Sequence, residues 1–94
     1  TGTYVGMDGP RFETAAESRF LQSAGGIVVG MTSVPEALMA LELNIDLGML
    51  AVVVNFAAGL PTADLTSQTM CRNRAAAIKD VESIVMAACR ELNA

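Results

Sequence analysis

Three times along this chain a short apolar run gives way to a polar turn and then to apolar residues at helical spacing. The first run, about residues 3–7, reads as a strand that stops at the turn residues Asp8, Gly9 and Pro10. A helix follows, in which Thr14 and Glu17 have capping-box spacing, Phe20, Leu21 and Ala24 recur at helical intervals, and Gly25 suits the residue just past the last turn. A second strand, residues 27–30, leads to a second pair at capping-box spacing, Ser33 with Glu36. These open the helix "VPEALMALEL", with Pro35 in its first turn. The third strand, "LGMLAVVVN", is apolar on both faces, as parallel strands are when helices cover each side. The loop "FAAGLPTAD" then leads to the longest helix, about residues 66–92. Its buried stripe is expected to be Ile78, Val81, Val85, Ala88 and Leu92, with Lys79, Glu82 and Arg90 mostly turned away. The order β-α-β-α-β-α predicts a parallel sheet inside an α/β fold. Three strands make a thin sheet, and the chain opens in a strand without an initiator Met. We therefore read residues 1–94 as one part of a larger domain.

Composition narrows the picture. Of 94 residues, 52% are hydrophobic and only 17% charged, so much of the chain is expected to be covered by its own fold or by something beyond it. Its richest apolar stretch ends at Asn55 and is too short to span a bilayer, and no signal-peptide pattern opens the chain. Net charge is −4, with six basic residues scattered among ten acidic ones and few aromatics. A nucleic-acid surface would lack both its cations and its stacking platforms. Cys71 and Cys89 fall in one helical stretch, roughly 27 Å apart at about 1.5 Å per residue, far beyond disulfide reach. They read as reduced, mostly buried thiols of a cytoplasmic protein. The absence of histidine removes the usual zinc ligand and the commonest general base, and no metal site is expected.

The chemistry is expected at the carboxyl ends of the strands, where α/β sheets bind ligands. Each strand ends in a polar cluster: "GPRFET", "GMTS" and "NFAAG". Glu13 has two readings. An acid near a helix N-terminus interacts well with its dipole, yet Thr14 and Glu17 already supply the capping box, which leaves Glu13 available to a ligand. Phe12 is either core or an apolar platform, and Arg11 reads most simply as a solvated turn residue. Ser33 fits an N-cap, whereas Thr32, not needed for that cap, offers its hydroxyl beside a helix N-terminus suited to an anion. Met31 is either core or an apolar ligand contact. Asn55, ending the most apolar strand, either ties down the following loop or reads a heterocycle with its amide. Together these residues describe an anion near Thr32 and a planar polar ring between Glu13 and Asn55. No nucleophile–base pair or Gly-rich phosphate cradle accompanies them.

"GPRFETAAE", "VGMTSVPEA" and "VVVNFAAG", in this order over about residues 1–65, resemble the trimeric purine nucleoside phosphorylase family, including its methylthio-nucleoside branch. The resemblance implies the C-terminal portion of a phosphorylase/hydrolase-like three-layer α/β/α fold, with mostly parallel strands and a long C-terminal helix. It implies phosphorolysis: inorganic phosphate attacks C1′ of a purine nucleoside and releases the base and a ribose 1-phosphate, with no other cofactor. By motif, Phe12 would pack on the purine and Glu13 would hydrogen-bond its pyrimidine edge. Met31 would line the ribose, Thr32 would contact phosphate, and Asn55 would bind N7 and the 6-substituent of the leaving base. Branches acting on 6-aminopurines resemble each other in carrying acids at the positions of Asn55 and Ala57, so this chain resembles the 6-oxopurine type. Many members that accept a 5′ hydroxyl carry a histidine at the start of the last helix. Here "LTSQTM" stands instead, which suits methylthioinosine beside inosine and guanosine. The family's other phosphate loops lie in an N-terminal half absent from these residues, so the resemblance implies that half as a partner, within a homotrimer or hexamer. Two alternatives stay open: a phosphate-independent nucleosidase on the same fold, and a purine-binding module without catalysis.

Overall fold

The computed structural model describes residues 2–94. It contains β1 (Thr3–Gly6), α1 (Ala15–Ser23), β2 (Gly26–Gly30), α2 (Ser33–Glu42) and α3 (Ser67–Leu92). Two compact units divide these residues: one takes in the chain up to Met49 together with Phe56–Ala63, the other Leu50–Asn55 with Asp64–Ala94.

In the first unit β1 and β2 pair in parallel, with Tyr4 opposite Val28, Val5 opposite Val29 and Gly6 opposite Gly30. Parallel neighbours need a crossover, and α1 supplies it. The Met7 N–H extends the ladder onto the Gly30 carbonyl at 2.9 Å. Both strands therefore release the chain at the same edge of the sheet. A Cβ on Gly6 would run into the Val34 side chain, so glycine there lets the start of α2 approach the end of β1.

Local chemistry sets the helix ends. The Thr14–Glu17 capping box forms as expected: Thr14 Oγ1 accepts from the Glu17 N–H, and Glu17 accepts from the Thr14 N–H. Past α1, Gly25 takes φ +90° and its N–H reaches the Gln22 carbonyl at 3.0 Å. The second capping box does not form. Helix α2 begins at Ser33, its N-cap is Thr32, and that residue makes no side-chain cap bond. Two causes combine: Thr32 has φ −120° and ψ −25°, away from the extended backbone of a cap, and Pro35 at the third helical position has no N–H to donate. At its other end α2 closes with Asn44 at φ +54°, the Ile45 N–H bonding the Ala40 carbonyl and the Asn44 N–H that of Leu41. This is the Schellman pattern with asparagine in the left-handed position.

In the second unit α3 is capped by Thr66, whose hydroxyl accepts from the Thr69 N–H. Asp64 reinforces the start by accepting from the Thr66 N–H at 3.0 Å and the Thr69 hydroxyl at 2.6 Å. These bonds hold the Asp64 carboxyl below the usual carboxylate range. The expected third strand, residues 47–55, joins no ladder: among the described residues the sheet is β1 and β2 alone. Strand structure needs a partner edge, and in this stretch the Val54 carbonyl accepts instead from a side chain, Asn73 Nδ2 of α3, at 2.7 Å.

Burial departs from expectation along α3 and at the two cysteines. No hydrophobic side chain among the described residues is buried. On the expected α3 stripe Ile78, Val85, Ala88 and Leu92 are exposed and Val81 is half-buried. Both cysteines are exposed rather than buried. The apolar faces have the periodicity the sequence predicts, but nothing within the described residues covers them. No described helix is long and apolar enough to cross a membrane.

Candidate functional site

Four of the expected site residues lie in the two segments that leave the sheet at its carboxyl edge. Phe12 and Glu13 follow the Asp8–Pro10 turn after β1, and Met31 and Thr32 follow β2 directly. The two segments touch: a Cβ on Gly9 would lie 3.0 Å from the Met31 sulfur, so the turn passes close over Met31. Phe12 and Met31 stay exposed, at 45% and 44%, so neither serves as a core residue among the described residues.

Glu13 is the exception to the general exposure. At 9% it is the one buried residue among those described, and its side chain is a carboxyl. It takes no part in the capping box, which Thr14 and Glu17 complete without it. One carboxylate oxygen instead accepts from the Ala58 N–H at 3.3 Å, across 45 positions of sequence. Glu13 thereby draws the 56–63 loop, and Ala57 with it, to the start of α1. Gly59 makes that approach possible. Its φ of +82° belongs to the left-handed region, and any Cβ there would collide with the Ala15 Cβ. The loop closes on itself through bonds from the Leu60 N–H to the Ala57 carbonyl and from the Ala63 N–H to the Leu60 carbonyl.

Arg11 does more than the solvated turn residue expected of it. Although 59% exposed, its guanidinium forks onto Glu17, with Nη1 2.9 Å from Oε2 and Nη2 2.7 Å from Oε1. Nη1 also donates to the Phe12 carbonyl at 3.0 Å. The Arg11 bond, followed by that from the Thr14 N–H, lowers the Glu17 carboxyl from 4.5 to about 2. Arg11 is held above its ordinary range by the same partner. A separation of six residues falls outside the helical pairing rule, so periodicity gives no sign of this pair.

Thr32 is exposed, with its hydroxyl outside the helix cap and the first N–H groups of α2 beside it. Asn55 belongs to the second unit, half-buried at the end of the 50–55 segment, directly after the carbonyl that Asn73 holds. Among the described residues no group of three His, Cys, Asp or Glu side chains is arranged to hold a metal ion.

Known proteins are similar to this chain in sequence. A family model described as the phosphorylase superfamily matches residues 1–90. A 6-oxopurine nucleoside phosphorylase of Pyrococcus furiosus is 44% identical over 93% of the chain and 33% of its own length. A protein of Methanothermobacter thermautotrophicus named "Probable S-methyl-5'-thioinosine phosphorylase" is 42% identical over 97% of the chain and 32% of its own. An S-methyl-5'-thioadenosine phosphorylase of Thermosynechococcus vestitus is 37% identical over 99% of the chain and 32% of its own. The chain thus spans about a third of the length of the curated relatives it matches.

Proposed function

The chain belongs to the phosphorylase superfamily, and from that membership we propose that it forms the base-reading part of an enzyme of purine nucleoside phosphorolysis. The observation that carries the reading is Glu13: a buried carboxylate at the sheet's carboxyl edge, left out of the capping box beside it. A buried carboxylate needs hydrogen-bond donors, and the Ala58 N–H supplies one of them at 3.3 Å.

In the proposed reaction a phosphate oxygen bonds to C1′ as the C1′–N9 bond breaks, and the departing purine takes the electron pair. Donors aimed at the base lower the barrier by stabilising that charge. Asn55 supplies amide N–H donors to N7 and a 6-oxo group, and Glu13 accepts from the protonated N1 of a 6-oxopurine. A 6-aminopurine presents a bare N1 acceptor instead, which gives the Glu13 oxygen no hydrogen to accept. Ala57 provides no acid for a 6-amino group, which supports the same preference. Phe12 offers its exposed ring to the base, Met31 lines the ribose, and the Thr32 hydroxyl with the first N–H groups of α2 holds phosphate. Leu65 and Met70, both half-buried, suit a methylthio group at the 5′ position. Methylthioinosine is therefore proposed beside inosine and guanosine, in keeping with the names of two of the relatives. The rest of the site comes from an N-terminal half outside these residues, in a cytoplasmic homotrimer or hexamer.

Base release by the complete enzyme, measured with and without phosphate on inosine, adenosine and their 5′-methylthio analogues, tests the reading. Phosphate-dependent release from the inosine pair is expected. Release indifferent to phosphate would make the enzyme a nucleosidase, and preference for the adenosine pair would remove Glu13 and Asn55 as readers of a 6-oxopurine.

A further inference from the structure

The contacts around Glu13 form a closed figure. Two peptide planes meet at this residue, Phe12–Glu13 before it and Glu13–Thr14 after it, and their orientations set the direction of its side chain. Each plane is held from outside. The Phe12 carbonyl, on the first, accepts from Arg11 Nη1 at 3.0 Å. The Thr14 N–H, on the second, donates to Glu17 Oε2 at 2.7 Å. Arg11 and Glu17 are joined to each other by the fork, and Arg11 Nη1 and Glu17 Oε2 are themselves partners at 2.9 Å. The ion pair therefore clamps both peptide groups that flank the buried carboxylate.

We propose that Arg11 and Glu17 are positioning residues, whose ion pair fixes the backbone on both sides of Glu13 and so aims its carboxylate at the base. The proposal rests on the reading of Glu13 as a base contact. A helix start does not account for the arrangement. The capping box needs Thr14 and Glu17 only, whereas Arg11 adds a bond to the carbonyl before Glu13, outside the helix. Arginine suits the task because its planar fork takes both oxygens of Glu17 while one nitrogen still reaches the carbonyl. Lysine, a point charge on a flexible stem, cannot hold all three contacts together. The cost of losing the clamp falls on geometry, and small misplacements of a contacting group cost large factors in affinity and rate.

The test is a double-mutant cycle on hypoxanthine affinity in the complete enzyme, using Arg11→Ala, Glu13→Ala and the pair. Arg11→Ala is expected to weaken hypoxanthine roughly tenfold, Glu13→Ala by more, and the double variant no more than Glu13→Ala alone, because Arg11 acts through Glu13. Phosphate affinity, read in parallel, should stay within about twofold in all three; a merely structural role would lower both affinities together. Arg11→Lys and Glu17→Gln, which keep the helix start, should each weaken hypoxanthine in the same direction and serve if Arg11→Ala fails to fold. If Glu13→Ala weakens hypoxanthine while the Arg11 and Glu17 variants leave it unchanged, the clamp is overturned and the base-reading role stands. Losses that multiply in the double variant also overturn it. If Glu13→Ala itself leaves hypoxanthine binding intact, the reading of Glu13 fails, and the clamp's proposed purpose fails with it.

Discussion

Glu13 shows what a short pattern can and cannot reveal about one residue. Its surplus to the capping box is legible from spacing alone, and the structure leaves it outside that box. Its burial and its bond to Ala58 are not legible, because a contact across 45 positions leaves no periodic trace. The role of Arg11 escapes the pattern for a related reason: its partner is six residues away, beyond the i+3 and i+4 neighbours that helical spacing exposes. Asn55 carries the most specific prediction at this scale. Exchanging its amide for the carboxylate of Asn55→Asp replaces donors with acceptors where the proposed reading puts the 6-substituent of the base. The inosine-to-adenosine ratio of kcat/KM should fall by roughly 10²-fold. Steady-state kinetics on both nucleosides in the complete enzyme measure it, and an unchanged ratio would count against the base-reading role.

At the scale of elements, the strands and helices before residue 43 and the long final helix follow the sequence closely, because each has its own punctuation. The start of α2 does not, since spacing alone puts a cap on Ser33 while backbone angles and Pro35 leave Thr32 in that place without a cap bond. The contrast between two threonines is testable. Thr14→Ala removes a formed cap and should cost about 1 kcal/mol by chemical denaturation of the complete enzyme. Thr32→Ala removes none and should stay within about 0.5 kcal/mol. The KM for phosphate should nevertheless rise in Thr32→Ala, because the hydroxyl is proposed to face the anion rather than the helix; an unchanged KM would return Thr32 to a purely structural role. The α1 start also has a pH signature. Glu17 titrates near 2 in the folded chain against an ordinary 4.5. Its contribution to stability is therefore complete above about 4.5 and is lost as pH falls from there through about 2. A carboxyl titration followed by NMR should show a Glu17 midpoint near 2, moved upward in Arg11→Ala; a midpoint at the ordinary value in the parent would deny the ion pair in solution.

For the molecule as a whole, the sequence identifies apolar faces but not what covers them. Residues 50–53 and the α3 positions Ile78, Val85 and Leu92 have the composition of interior surfaces, yet all are exposed. Burying side chains of this kind is worth about 1.5–3 kcal/mol each, and contiguous exposed patches of them mark surfaces that associate. The same absence explains the missing third strand: an extended apolar segment becomes a strand only when another edge completes its ladder, and among the described residues none does. With no buried hydrophobic side chain among the described residues, little offsets the entropy of ordering the backbone. The 94 residues produced alone should accordingly bind a hydrophobic dye such as ANS, elute from gel filtration as aggregates, and unfold without a sharp transition. The complete enzyme should lose the dye signal and melt cooperatively. A monomeric, dye-silent and cooperatively melting 94-residue product would mean that these faces find cover within the chain itself.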